Sequence, residues 1–405
     1  MTKYAKTVKY NHEKEPAFQA EMKARIDAHF APRGGNKKAT LGMWAKLALF
    51  FGLFWANWAA LAFHTHSLGT TIALLFSFAL LFKCIAYNIA HDSVHGALTG
   101  NAKIDDKIFF VSFNMLGPNG YLWKIRHNNA HHFFVNIPDC DVDIEGTRLI
   151  RLAPHKQWKP YHRFQHLYAP LMYMVFTLDW IFRKDFALYF RKEFGNVTGL
   201  KHPWWRFAEL VALKAFYVGY MIVLPCLMLP YSVGTILTAF VGFHLFLSFY
   251  VVMTFASSHI GEDALFVDSD EDGRLPHSFL EHQLRTSVDF HPRNPVVGFF
   301  YGGFNAHVAH HMFPNMSSVH YGPVTKIIQE TAAEHGLPYH ERTLLDLFAS
   351  HFRFLKLMGR SPDAGAHHLL GGATPPTLDR MIELHRGAVA KDFAVADLDD
   401  TADSA

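Results

Sequence analysis

The sequence predicts an all-α integral membrane protein, with four transmembrane helices in two hairpins and a helical cap on one side of the bilayer. Three observations carry that reading. Half of the 405 residues are apolar and only 18% are charged. Four apolar runs are each long enough to span a bilayer, and histidine, present 28 times, gathers in clusters beyond the ends of those runs. A soluble chain of this size carries more charge; this balance suits one solvated in part by lipid.

The elements follow in order. Residues 1–40 are polar and hold nine Lys and Arg residues. They read as a cytosolic arm with a short amphipathic helix over 17–30, and no apolar stretch there predicts a cleaved leader. A hydrocarbon core about 30 Å thick needs roughly 20 apolar residues of helix. Residues 41–63, 68–90, 207–229 and 231–256 meet that length. The connections at 64–67 and Pro230 are too short for anything but hairpins, and neither carries a Lys or Arg. Cations crowd instead into the first forty residues and into 91–206, so the positive-inside rule places both termini and both long polar stretches in the cytoplasm. A fifth apolar stretch, 167–182, is short and interrupted by Pro170 and Asp179. A crossing there would separate the histidine clusters, so it reads as an interfacial helix. The main domain is expected over 41–360, and the Gly-, Pro-, Ala- and Asp-rich remainder, 361–405, as a flexible cytosolic tail with one short helix over 378–393.

Composition narrows the function. A net charge of +3 carries no nucleic-acid signature. Cys84, Cys140 and Cys226 form no C-x-x-C pair, so neither a disulfide framework nor a thiolate metal site is expected.

The histidines are more informative. His91 and His95 follow the second apolar run; His127, His131 and His132 form a second cluster; His307, His310 and His311 form a third. Residues four apart share a helix face, with Cβ atoms about 5–6 Å apart. Each cluster therefore presents a pair able to converge on one centre, and the last two add a neighbour turned toward another direction. Charge counting assigns all three to one compartment. A structural zinc site closes at four ligands and usually recruits cysteine. Eight imidazoles without cysteine fit two metals better, so the cap is expected to carry a histidine-rich di-metal site. Imidazole suits iron, zinc and copper alike. Neither the Glu-x-x-His of soluble di-iron bundles nor the His-Glu-x-x-His of zinc proteases occurs.

H-x-x-x-H, H-x-x-x-H-H and H-x-x-H-H, separated by paired spans, resemble the three histidine boxes of membrane fatty-acid desaturases, including the linoleoyl-CoA desaturase-like acyl-CoA and acyl-lipid enzymes. HDSVHGAL from His91, RHNNAHHFFVNIPDCDVDI from Arg126, EHQLRT from Glu281 and HVAHHMFPNMSSVHY from His307 carry the likeness, which runs from about Trp44 to Ile328. The resemblance implies two non-haem irons held by His91, His95, His127, His131, His132, His307, His310 and His311. It also implies a further ligand just past the last span, His259 or, ranked below it, His282. Such an enzyme uses O2 and two electrons to place a carbon–carbon double bond in an acyl-lipid or acyl-CoA chain. No His-Pro-Gly-Gly haem motif occurs, so the electrons are expected from a separate ferredoxin or cytochrome. The second-box flank resembles front-end desaturases, whereas HVAHH resembles methyl-end enzymes, so the bond position stays open.

Asp139, Asp141 and Asp143 alternate as in a calcium loop, but Ile144 replaces the EF-hand glycine, and orienting metal-bound imidazoles is the better role. Asp92 could do the same. His244, alone in the last span, reads as a packed core residue. His155, His162 and His166, with Arg148, Arg151, Lys156 and Arg163, read as a basic juxtamembrane face able to meet headgroup or CoA phosphates. Phe50, Phe51, Phe54, Phe76, Phe78 and Phe82 suit core or lipid-facing packing, or an acyl tunnel. The sequence is also compatible with two rival functions: a hydroxylase or ketolase on the same scaffold, and a membrane metal carrier, which would place its ligands inside the spans.

Overall fold

The computed structural model describes residues 3–360 apart from positions 5, 14 and 146. The expected tail, 361–405, and its helix over 378–393 lie outside the described residues. Among the described residues, four helices are long and apolar enough to cross a membrane: Leu41–Phe63, Leu68–Val94, Trp204–Met228 and Val233–Ser257. Three open on a side-chain cap that satisfies a free backbone N–H of the first turn. Thr40 accepts from the Met43 amide, Ser67 from Thr70 and Ser232 from Thr235 at 3.1–3.2 Å. The third follows Pro203 and contains Pro225. A proline inside a helix lacks its N–H and crowds the preceding turn, and the wider π turn at Gly219–Val223 stands where that strain must be absorbed.

The second helix runs four residues past the apolar stretch. A π turn at Ile85–Ala90 continues directly into His91–Val94, so the first histidine cluster is carried on the rigid end of a span. Between the long helices, Phe50, Phe54, Phe78 and Phe82 pack with Tyr217 and Phe243, while Phe51 and Phe76 face outward. Ring pairs such as Phe54–Phe78 at 4.8 Å and Phe78–Phe243 at 5.4 Å knit the core.

The fifth apolar stretch is helical over Gln165–Met174, breaks at Val175, and resumes in short pieces to Tyr189. Its Ala169 and Tyr173 pack on Val252 and Met253 of the fourth long helix and on Phe354 and Leu355 of the helix Leu344–Met358. Leu167 and Leu171 point the other way and are about two-thirds exposed.

The N-terminal helix, Pro16–Phe30, is built into the body of the protein. Phe18, Met22, Ile26 and Phe30, spaced four apart, bury one face against Val308, Ala309 and Met312 of the helix His307–Met312. Val324 and Ile328 of the helix Tyr321–Glu334 close the same cluster. The third histidine cluster is thereby backed by residues nearly three hundred positions earlier.

Candidate metal centre

Nine histidines meet in two adjoining groups. In one, His91, His95, His127, His132 and His310 bring ligand atoms within 4.8 Å of one another. The Nε2 atoms of His95 and His127 are 3.1 Å apart, those of His127 and His132 are 3.1 Å apart, and those of His132 and His310 are 3.0 Å apart. In the other, His131, His259 and His311 converge. His259 Nε2 lies 3.0 Å from His311 Nε2 and 2.7 Å from His307 Nε2. The groups are neighbours because His131–His132 and His310–His311 each divide one adjacent pair between them. The His132 and His311 rings stack at 4.3 Å.

A local departure from helical geometry makes this division. The spacing argument pairs His127 with His131 and turns His132 aside. The structure reverses that assignment. Residues His127–His131 form a π turn, in which the His132 amide donates to the His127 carbonyl at 3.0 Å. The widened turn brings i and i+5 into one direction, so His132 joins His127 and His131 swings to the second group. The third cluster keeps ordinary α spacing: His307 and His311 share a group, and His310 faces the other.

Further contacts hold the rings. The His131 Nδ1–H donates to the buried Asp141 carboxylate at 3.1 Å, with Asp143 at 3.5 Å. Asp141 also accepts from the amides of Asn136 and Asp143, both at 2.9 Å. The His259 Nδ1–H donates to the Thr286 carbonyl at 2.9 Å, leaving Nε2 free to face its partners. Asn136, in the left-handed region at φ 56°, donates from its side chain to the carbonyls of His259 and Leu265 and so ties the second box to the loop after the last span. Trp123 stacks on His127 at 4.2 Å and 16°, fixing that ring's plane. Asp289 accepts from the Val308 amide at 2.8 Å and caps the helix His307–Met312. Of these, Asp141 and Asp143 are legible in the sequence; Asn136 stands in the flank of the second box without a signal for its role, and Asp289 has none.

The donor set suits a metal pair. Burial, reinforced by the neighbouring rings, holds His127, His132, His307, His310 and His311 well below the ordinary imidazole range. Burial first, then nearby positive groups, brings His95 and His259 down to about 3. His131 is the exception: burial opposes its charge, but Asp141 and Asp143 outweigh it and raise the ring to about 9. Neutral imidazoles whose lone pairs face one another gain nothing from one another without a cation between them. Ligands at about 2.1 Å from one ion and at right angles lie about 3 Å apart, close to the spacings found here. His91 Nε2 is buried with no hydrogen-bond partner among the described residues.

The remaining candidates sort differently. His282 is not in either group: its Nε2–H donates to the Val135 carbonyl at 2.8 Å and its ring packs on Tyr10. His244 is a core residue with both nitrogens engaged, by the Thr177 and Tyr217 hydroxyls at 2.8 Å each. Asp92 touches no box imidazole; it accepts from the Ser317 hydroxyl, the Ser318 amide and the Ser318 hydroxyl, pinning the third-box loop to the first box. Asp139 is exposed and faces Lys156 at 3.9 Å.

Four membrane-length helices topped by converging histidines fit a membrane protein with a candidate metal site, and comparison with known proteins specifies the family. Residues 65–343 match the model of the fatty acid desaturase family. The chain belongs to that family; it is a fatty acid desaturase, an oxidoreductase of lipid metabolism. It is 26% identical over 364 residues to the sn-1 linoleoyl-lipid 6-desaturase of Arthrospira platensis, covering 89% of this chain and 97% of that one. It is 28% identical over 362 residues to the enzyme of the same name from Synechocystis sp., covering 88% and 99%. The acyl-lipid (8-3)-desaturase of Physcomitrium patens is 28% identical over 360 residues, covering 87% and 74%.

Proposed function

We propose that the two histidine groups hold a di-iron pair and that the enzyme uses it to desaturate the acyl chain of a membrane lipid. His91, His95, His127, His132 and His310 serve one iron; His131, His259, His307 and His311 serve the other. His282 is left out because its Nε2 is committed to a backbone carbonyl. The convergence of nine imidazole rings, seven of them linked by Nε2–Nε2 distances of 2.7–3.1 Å, carries this reading. Iron bound there supplies O2 activation and the removal of two hydrogens from adjacent carbons, chemistry no side chain can perform on an alkane.

The chain's own residues supply position and exclusion. Asp141 and the Thr286 carbonyl fix which nitrogen of His131 and His259 faces inward. Burial keeps water from the reacting carbons. The spans form two hairpins, with termini, cap and metal pair on the cytoplasmic side, where a separate ferredoxin or cytochrome delivers two electrons. The division into an arm (1–40), a desaturase domain (41–360) and a tail (361–405) stands as part of this reading. An acyl-lipid substrate, desaturated toward its carboxyl end, is supported by relatives named 6-desaturase and Delta(5) fatty acid desaturase.

Expression in a host lacking the activity, fed labelled linoleoyl lipid, tests the proposal. A product lighter by two hydrogens, with two irons per purified chain, is expected. A product that gains one oxygen would instead make the enzyme a hydroxylase, and stoichiometric zinc in a fully active enzyme would overturn the iron assignment.

A further inference from the structure

Beside the interfacial helix lies a polar cavity of about 480 Å³. Arg148, Arg151, Lys156 and Lys159 line it with Tyr161 and His162, and Glu145 is the one carboxylate among the lining residues. We infer that this cavity binds the phosphate group of a membrane lipid.

The loop that forms it is held in shape without using up its charge. The Arg151 guanidinium, 5% exposed, donates only to backbone carbonyls: Lys156 at 2.6 Å, Met358 at 3.0 Å, and Pro154. Its positive charge meets no carboxylate among the described residues. The Lys159 amide donates to His162 Nδ1 at 3.0 Å, and the His162 Nε2–H donates to the Arg148 carbonyl at 3.2 Å, so this histidine is spent, neutral, on the backbone. The Tyr161 hydroxyl donates to the same carbonyl at 2.8 Å. No carboxylate pairs with the Arg148 guanidinium or the Lys159 ammonium among the described residues. Lys156 alone is paired, with Glu145 at 2.9 Å and with Asp139, which is not among the lining residues, at 3.9 Å. Four cations against one acid leave a concave surface that attracts an anion.

Its place in the fold names the anion. The helix Gln165–Met174 starts immediately after this loop, and Phe164, Leu167 and Leu171 expose more than half of their surface. Such a face buries itself among acyl chains, which sets the residues at the helix start at the level of lipid headgroups. Phosphate is the anion found there, and Arg with Lys recognises it through charge-assisted hydrogen bonds. The segment 139–145 links the cavity to the metal centre: Asp139 and Glu145 face Lys156, while Asp141 and Asp143 hold His131. A headgroup seated here would lie at one end of the segment that orients a proposed iron ligand.

The inference rests on the bilayer placement proposed above, but it is read by binding, which needs neither O2 nor electrons. The full-length protein in neutral detergent is titrated with fluorescent short-chain phosphatidylglycerol. Saturable binding is expected, weakened about tenfold or more in R148Q/K159Q, kept in R148K/K159R, and tightened several-fold in E145Q, which removes the competing acid. Coenzyme A displacing the probe with the same residue dependence would assign the site to the phosphates of a soluble acyl carrier; inorganic phosphate doing so would assign it to free phosphate. R148Q/K159Q binding as tightly as the unaltered protein, or an uncharged glycolipid of equal chain length competing as well, would overturn it. A chain that binds but leaves acyl groups saturated sinks the desaturation reading alone.

Discussion

His131 shows how much one side chain depends on its neighbours. Its Nδ1–H is held by Asp141, a carboxylate buried completely and bonded to two further amides. Replacing Asp141 by Asn exchanges an acceptor oxygen for a donor and removes the charge. Iron retention is expected to fall about 10–100-fold, read as metal content after dialysis against a mild chelator, while the exposed Asp139→Asn stays at the wild-type level. The same measurement separates the two histidines proposed for the last ligand position. His259→Asn loses iron and His282→Asn retains it. His282 and His351 also predict a pH response. Burial pushes each down to about 4, whereas in an unfolded chain both sit near about 6.5. Between those values the unfolded chain binds more protons, so stability is full above about pH 6.5 and declines as pH falls toward about 4. The Tyr173 hydroxyl and the Ile260 carbonyl occupy both nitrogens of His351. His351→Gln is expected to lower the melting temperature at neutral pH yet flatten its fall between pH 7 and 5; an unchanged slope would refute the assignment.

Two elements deliver the third histidine cluster, and each offers a test. Gly302 and Gly303 sit at φ 55° and 88°, in the turn before His307. A Cβ on Gly303 would lie 2.6 Å from the Tyr321 ring, and one on Gly302 would lie 2.6 Å from the Tyr87 carbonyl. Strain and overlap act together there, so Gly303→Ala is expected to abolish folded, iron-loaded protein, whereas Gly298→Ala, whose Cβ meets nothing within 4 Å, is tolerated. The N-terminal helix acts from behind. Phe30 is fully buried against this cluster's scaffold, and Phe30→Ala should cost about 3–5 kcal/mol, seen as a lower melting temperature with iron loss at the same temperature. The π turns were beyond sequence reasoning. A period of 3.6 assigns His131 to the face of His127, and nothing in HNNAHH announces a turn one residue wider.

At the scale of the molecule, the arrangement requires all nine histidines on one side of the bilayer. Single cysteines at the exposed positions Lys103, Glu271 and Lys326 should react with a membrane-impermeant reagent from the cytoplasmic side, and cysteines at Ser67 and Tyr231 from the other. Cys84 and Cys140 are buried, and the half-buried Cys226 is first replaced by Ala to keep the native background low. Labelling of Lys103→Cys and Lys326→Cys from opposite sides would rule out a shared centre. The apolar lengths predicted four spans because lipid imposes a fixed thickness on any helix that crosses it, and four helices of that length appear among the described residues.

What the chain states by itself is local and repetitive: span lengths, histidine spacing and the acidic run after the second box. Those are legible because bilayer thickness, helical period and imidazole chemistry hold in any protein. The grouping of five histidines with four, the engagement of His282 by a backbone carbonyl outside both groups, the inward face of the N-terminal helix and the basic hollow beside Gln165 come only from tertiary contact. Each depends on which distant backbone group or apolar face arrives to complete it, and no period along one segment encodes the partner that another segment brings.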